Sequence, residues 1–538
     1  MRIIASLIVL TCSVSLIAAP QYPFPQNVSY TYGIVPSSIK SDRVQAAYKD
    51  FIDRFYEESP DKSMARIRWD NAAQTVSEGI GYGMLIMVYM DNATNNTKDK
   101  FDKLWKYYNS FLNGNGLMNW KIDGFNNVSG MNAATDAEVD VAVALLQANK
   151  QWGDQKYLDD ARALIDKIWN HEVNGNGYLK PGDSWDTKKN PSYFSTAALE
   201  SFKQAGSQDW GKVIGNSYSL IKKVQHQTTG LIPDWCQEDG STGDGYHYDA
   251  ARTPWRMAWG YLWYGHDDAK EICSKLADWL MTSTGGNAAS VVDGYNLDGS
   301  KTSEWLTSTF LGAFACAGMV DARHQTWLDN AYRVQDSLID VQESYFNTSL
   351  KVIYLLLLSG NMPDFWNPPT PQKFTVTVET EPSQAGVISF SPAGPEYSRG
   401  DTVTVTAMSN DRYTFARWSG DVNGTDSILK FAVTGDMIVR AMFNEVGVTA
   451  PQIAKGLPVE IANPFHGGSG IRFSVSRAGL VSLHIHSLEG KLIARPVEGY
   501  YSRGSHICSL MKPLSGGVYL FTLRTPAGTL SRTLTVNR

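Results

Sequence analysis

Between about Tyr22 and Trp366, apolar positions recur three and four residues apart, the period that lines one face of an α-helix. The pattern predicts helices over Ser41–Tyr56, Gly83–Met90, Lys98–Phe111, Ala137–Lys150, Gln155–Asn170, Ser195–Gln204, Trp210–Gln225, Trp255–Tyr264, Asp268–Met281, Ser308–Ala317 and Leu328–Ser337. Val352–Leu358 is apolar but too short to span a membrane, and reads as a further buried helix. Charged, one-sided segments alternate with segments apolar on nearly every side. The first kind suits an outer helix and the second an inner one. Gly- and Asn-rich turns such as Asn113–Gly116 and Asn174–Gly177 separate them. Alternation of this kind fits an α/α toroid better than a simple bundle.

The period changes after Trp366-Asn367-Pro368-Pro369-Thr370-Pro371, a stiff linker. Phe374–Val378 and Thr402–Thr406 alternate apolar and polar residues, as strands do. So do Ile471–Val475, Val481–Ile485 and Val518–Thr522. The expected organisation is a mainly α domain over 20–367, a Pro-rich linker over 368–372 and a β-rich module over 373–445. A linker over 446–458 and a C-terminal β-sandwich over 459–538 follow. Before all of these, Arg2, the apolar stretch Ile3–Ile17 and Ala18-Ala19-Pro20 read as a signal peptide over 1–19.

The 538 residues are too many for one ordinary domain. The net charge of −6 and the lack of a basic block argue against a nucleic-acid partner. After residue 19 the cysteines are Cys236, Cys273, Cys316 and Cys508, scattered and without a CxxC. That spacing argues against a zinc site and a dense disulfide framework, and assigns no pairing. The histidines are read as forming neither an H-x-H nor an HExxH arrangement, and neither a phosphate-cradling Gly-rich loop nor a G-x-S-x-G elbow is present. No metal and no cofactor is expected. The 16 Trp and 26 Tyr include rings of the kind that stack on the apolar face of a pyranose, although most of them read as core.

Three carboxylates carry the candidate chemistry. Glu78 lies in Ser77-Glu78-Gly79-Ile80-Gly81-Tyr82-Gly83 and opens an apolar run. Partial burial there raises a carboxyl pKa and suits a general acid, with the glycines letting a substrate approach the backbone. The plainer reading is a glutamate that complements a helix dipole. Asp136, in Ala134-Thr135-Asp136-Ala137-Glu138-Val139-Asp140, opens a second apolar run; here the plain reading is an N-cap by Thr135 or Asp136. Asp249 lies three residues before Arg252 and seven before Arg256. A neighbouring arginine favours the charged form, which suits a general base, although a structural Asp–Arg pair explains the spacing equally well. Trp120, Trp185, Tyr248 and Tyr345 are candidate stacking or hydrogen-bonding residues, each with core packing as its alternative.

Taken together these segments resemble glycoside hydrolase family 8 over about residues 22–366. Further similar stretches are Gly116–Asp123, Lys180–Trp185, Asn190–Phe194, Leu231–Cys236 and Val292–Tyr295. The resemblance implies an (α/α)6 barrel and an inverting mechanism. It implies Glu78 as proton donor, Asp249 as the base that activates water, and Asp136 as the group that holds and distorts the sugar. Arg252 would orient Asp249, and Trp120, Trp185 and Tyr345 would line the cleft. An inverting pair stands about 6.5–9.5 Å apart to admit water. The aspartate at 249 and the intact Ala-Thr-Asp segment favour a β-1,4-glucanase over a chitosanase or xylanase. A xylanase or lichenase of the same family, and a non-catalytic glycan-binding surface protein, are the alternatives. Phe346-Asn347-Thr348-Ser349 departs from the pattern of cellulase-like members.

The 373–445 module resembles bacterial surface repeats, through Trp418-Ser419-Gly420-Asp421. The tail resembles type IX secretion sorting domains, through Asn463-Pro464-Phe465, Ser487–Gly490 and Gly516–Tyr519. These likenesses imply a secreted or surface-attached bacterial protein, a polysaccharide substrate, secretion machinery as partner, and a monomer.

Overall fold

The computed structural model describes residues 19–369, 373–394, 396–398, 401–446, 459–460, 465–466, 471–510 and 514–537. Most of the expected signal peptide, nearly all of the 446–458 linker, and Asn463-Pro464 of the tail motif lie outside the described residues. The helical region contains α1 (Ser41–Phe55), α2 (Ser77–Tyr89), α3 (Lys98–Ser110), α4 (Thr135–Trp152), α5 (Gln155–Glu172) and α6 (Thr196–Ala205). It continues with α7 (Trp210–Val224), α8 (Thr253–Tyr264), α9 (Asp267–Ser283), α10 (Ser308–Gly318), α11 (Gln325–Ser337) and α12 (Tyr345–Leu358). Each overlaps a segment picked out by the apolar period.

The even-numbered helices close a ring: α2 packs on α4, α4 on α6, α6 on α8, α8 on α10, α10 on α12, and α12 back on α2. The odd-numbered helices lean on its outside, α3 on α2, α5 on α4, α7 on α6, α9 on α8, α11 on α10 and α1 on α12. This is the (α/α)6 barrel. Burial follows the sequence pattern. Every residue of α10 is buried, and so is every residue of α2 except Glu78. The outer helices bury one face only, as α1 does with Val44, Ala47, Tyr48, Phe51 and Phe55.

The glycines of α2 have a different purpose from the expected one. A Cβ on Gly81 would stand 3.0 Å from the Asp140 Cβ and 3.2 Å from the Ala137 carbonyl, and one on Gly79 would stand 2.8 Å from the Tyr345 hydroxyl. They bring α2 close to α4 and α12, so their role lies in helix packing and not in substrate approach to the backbone.

One end of the ring is closed by the chain's own segments. Gln21 N donates to Gln151 O at the end of α4, Phe24 N to Asp91 O just after α2, Ile34 N to Met319 O just after α10, and Val28 N to Gly360 O beyond α12. From the other side, Trp263 Nε1 donates to Met362 O and Gln147 Nε2 to Asp364 Oδ1. Tyr22 stacks on Phe365 with ring centroids 4.5 Å apart. This floor lies at the C-terminal ends of the inner helices and leaves their N-terminal ends open.

The β-rich remainder has its own cores. The module at 373–445 forms a four-stranded sheet (Tyr413–Gly420, Met437–Glu445, Lys373–Glu381, Glu396–Ser398) and a three-stranded one (Ile428–Ala432, Thr402–Ser409, Gly386–Ser391). Its Trp-Ser-Gly-Asp motif is structural: Trp418 is buried and donates to Asp426 O, and Asp421 accepts from Ile438 N. The tail builds a three- and a five-stranded sheet around Ile471, Phe473, Leu483, Ile485, Phe521 and Val536. Its strand Gly479–Ser487 carries an H-x-H pair, His484 and His486, with ring centroids 6.1 Å apart, which corrects the reading that the histidines form no such pair. Among the described residues no cluster of three or more potential metal ligands accompanies it. Cys236, Cys273, Cys316 and Cys508 are free thiols.

Inside the ring, Arg256 of α8 reaches across to Asp140 of α4, the two fully buried, with Nη2 2.8 Å from Oδ2 and Nη1 on Oδ1. Removing one partner leaves the other charge desolvated, so Asp140→Ala is expected to cost about 3–5 kcal/mol of barrel stability. Denaturant unfolding of the variant, with Asp140→Leu/Arg256→Leu as the paired replacement that recovers most of the loss, checks this.

Candidate active site

The open end of the ring collects the N-termini of the inner helices, and the three carboxylates meet there. Glu78 is the second residue of α2, and Asp136 the second of α4. Asp249 immediately precedes a 3-10 turn, Ala250–Arg252, that runs straight into α8. Tyr345 opens α12. The N-cap residue of α4 is Ala134, without a side-chain bond, so neither Thr135 nor Asp136 holds that position, although Asp136 Oδ1 accepts from Ala137 N in the first turn at 3.0 Å.

Arg252 ties the group together. Its Nη1 donates to Glu78 Oε2 at 2.8 Å and to Asp136 Oδ2 at 2.7 Å, with the Tyr82 hydroxyl at 3.3 Å. Its Nη2 donates to Asp249 Oδ1 at 2.9 Å. The guanidinium is buried and lies over the rings of Tyr193 and Phe346, at 5.3 and 5.7 Å. Glu78 and Asp136 therefore share one nitrogen, and Asp249 holds the other. The side chains of Glu78 and Asp249 are 19% and 38% exposed and that of Asp136 only 4%, so the first two face open space and Asp136 lies beneath them.

Burial drives the Glu78 carboxyl up to about 7; Arg252 opposes the shift, the Asp136 charge adds to it, and the bond from the Tyr345 hydroxyl at 3.1 Å opposes it again. Asp136 is also raised by burial, against the pull of Arg252. One guanidinium cannot neutralise three carboxylates, so a proton stays on the group near neutrality. Asp249 is differently placed. It accepts only from N–H donors: Arg252, Asn190 Nδ2 at 3.1 Å on Oδ1, and Trp235 Nε1 at 3.0 Å on Oδ2. Asp234 pins the same segment by accepting from Ala250 N at 2.7 Å and His247 N at 3.1 Å.

The aromatic candidates divide. Trp120 is half-exposed beside the start of α2, its carbonyl accepting from Ser77 N. Trp185 is half-exposed too, and faces Trp235 at 5.5 Å. Tyr345 is buried and gives its hydroxyl to the Glu78 carboxyl, so it offers no open face to a sugar. Tyr248 is half-exposed and commits its hydroxyl to Asp293 Oδ2 at 2.7 Å.

The family model for glycosyl hydrolases family 8 matches residues 61–360, more than half of the chain. The protein belongs to that family. A second family model, the divergent InlB B-repeat domain, matches residues 376–447. This glycosyl hydrolase is 35% identical to Endoglucanase 2 of Ruminiclostridium josui over 389 residues, covering 68% of this chain and 83% of the relative. It is 36% identical to Endoglucanase A of Acetivibrio thermocellus over 380 residues, covering 64% and 77%. A solved structure, the apo β-1,3-1,4-glucanase from Paenibacillus sp. X4, superposes with a TM-score of 0.60 at 29% identity, covering 64% of this chain and 99% of that one.

Sequence reasoning about this family 8 enzyme missed Trp235, Asn190, Tyr82 and Tyr193 as site residues. Their segments resembled the family's, but their meaning is a contact across the ring. Behind the site lies a second acidic pair. Glu138 and Glu172 are fully buried, and Glu138 Oε1 accepts from Met118 N and the Tyr108 hydroxyl, both at 3.3 Å. Burial, then the charge of Glu172, pushes Glu138 well up, and burial takes Glu172 up to about 8 against the Thr135 hydroxyl.

A carboxyl raised in the folded state binds its proton more tightly there than in the unfolded chain. Its stabilising effect is complete below the ordinary glutamate value of 4.5 and is lost as pH rises through about 8. Barrel stability is expected to fall over that window by at most about 1.4 kcal/mol per pH unit from Glu172. Glu172→Gln flattens this limb of a melting-temperature-against-pH profile.

Proposed function

We propose that this glycosyl hydrolase is an exported, inverting endo-β-1,4-glucanase. The observation that carries the reading is the division of labour around Arg252. A carboxyl raised to about 7 sits on one guanidinium nitrogen, and a carboxylate held by three N–H donors sits on the other. Glu78, partly open to the cleft, donates its proton to the leaving glycosidic oxygen. Asp249, aligned by Arg252, Asn190 and Trp235, takes a proton from a water as that water attacks the anomeric carbon. Asp136, buried under both, holds the sugar at the scissile bond and adds to the field that keeps Glu78 protonated. The glucan preference is supported by relatives named endoglucanases, and the neighbour named a β-1,3-1,4-glucanase extends it to mixed linkages. Export is supported by the Arg2–Pro20 pattern and by the tail's likeness to sorting domains. Among the described residues no helix is long and apolar enough to cross a membrane.

Glu78→Gln is expected to slow hydrolysis of carboxymethylcellulose by about 10²–10⁴-fold while sugar binding survives. In the wild type, kcat/KM falls as pH rises through about 7, where Glu78 loses its proton. Near-normal turnover by the variant, or faster cleavage of xylan than of glucan by the wild type, overturns the assignment.

Direct displacement inverts the anomeric centre. The first reducing ends from a β-linked glucan are therefore expected to be α-configured, read by proton NMR before mutarotation. A β-configured first product requires a covalent nucleophile in place of Asp249 as base.

A further inference from the structure

Trp305 is 76% exposed, against 37% for Trp120 and 42% for Trp185. Among the described residues no other ring packs on it. Its backbone is nevertheless fixed at both ends. Trp305 N donates to Ser303 Oγ at 3.1 Å, and Trp305 O accepts from Asp293 N at 2.8 Å. The same Asp293 carboxylate receives the Ser303 hydroxyl on Oδ1 and the Tyr248 hydroxyl, at 2.7 Å, on Oδ2. Asp293 and Trp305 lie at the base of a hairpin-like turn in which Tyr295 bridges both Tyr246 and Lys301. Tyr246 is three residues before Asp249, so the turn is tied to the segment that carries the base.

The position in the ring matters as much as the exposure. Trp305 lies three residues before α10, at the same open end as the carboxylates. Trp120 abuts the start of α2, and the Trp185 turn abuts the start of α4, where Thr135 N donates to Pro181 O. In ring order α10 stands three places from α4, on the far side. An indole held on a fixed backbone and turned to solvent is what a pyranose face needs for stacking, and a lone surface tryptophan in a loose loop does not supply it.

We propose that Trp305, with Tyr248 beside it, forms an additional sugar-binding subsite for a β-glucan chain at the end of the cleft opposite Trp120 and Trp185. The inference rests on the glucanase reading above. The subsite makes the enzyme favour chains long enough to reach from the Trp120 side, past the Arg252 cluster, to Trp305. Short oligosaccharides occupy one side only and gain nothing from it.

The test uses the full chain and linear β-1,4-gluco-oligosaccharides of four to six units. Trp305→Ala is expected to lower the ratio of kcat/KM for the hexamer to that for the tetramer by about five-fold or more, the loss typical of truncating a tryptophan contact. Trp305→Phe, which keeps a ring, recovers most of that ratio. A ratio unchanged in Trp305→Ala, or an equal loss at every length together with a lowered melting temperature, overturns the subsite alone. Wild-type protein that leaves every oligosaccharide and soluble glucan intact overturns the glucanase reading and the subsite with it.

Discussion

A single guanidinium, that of Arg252, lets three carboxylates share one small volume. Three negative charges this close, one of them buried and two at the mouth of the ring, would repel one another strongly. Arg252 offers Nη1 to Glu78 and Asp136 and Nη2 to Asp249, and the Tyr193 and Phe346 rings hold its plane. The balance is deliberately incomplete: one positive charge against three acidic groups leaves the proton that Glu78 keeps. In the proposed mechanism two residues of the same chemical class thus take opposite roles from position alone.

The scaffold supplies that position through a stack of cross-ring polar contacts. Arg256, one turn of α8 beyond Arg252, pairs with Asp140, one turn of α4 beyond Asp136. Arg252 at the N-cap of α8 and Arg256 in its first turn therefore match two aspartates of α4 across the interior, rung above rung. Gly81 lets α2 close on this ladder, since a side chain there would strike Asp140 and Ala137. The position of Glu78 is set by how near α2 approaches α4.

Much of this was legible in the sequence. The period of apolar positions located all twelve α-helices of the described residues, because a helix buried on one side or on every side leaves a direct mark on composition. It placed the start of α2 late, at Gly83, because Gly79 and Gly81 are poor helix formers whose presence is explained only by packing against α4 and Tyr345. Glu78, Asp136, Asp249 and Arg252 were found because their neighbours form patterned segments. Trp235 and Asn190 were not, since nothing local to Pro233-Asp234-Trp235 or Asn190-Pro191 announces a bond to a carboxylate more than a dozen residues away. Tyr345 looked like a stacking ring, and its burial could not be read from an apolar helix start. The short strands at Gln74–Val76, Lys121–Asp123 and Asn127–Gly130 escaped as well, being too brief for alternation to show.

The floor of the barrel bears on the order in which the molecule is made. Tyr22 meets Phe365, Val28 meets Gly360 and Ile34 meets Met319. The earliest residues of the barrel therefore wait through the synthesis of nearly the whole domain before their partners exist. Until α12 has emerged, α2 lacks one of its two ring neighbours, and the apolar side meant for that neighbour stays uncovered. A ring of this kind has no stable half. Closure is a late, long-range event, and contacts of such sequence separation form slowly. The nascent chain thus stays open to self-association until its last helix arrives.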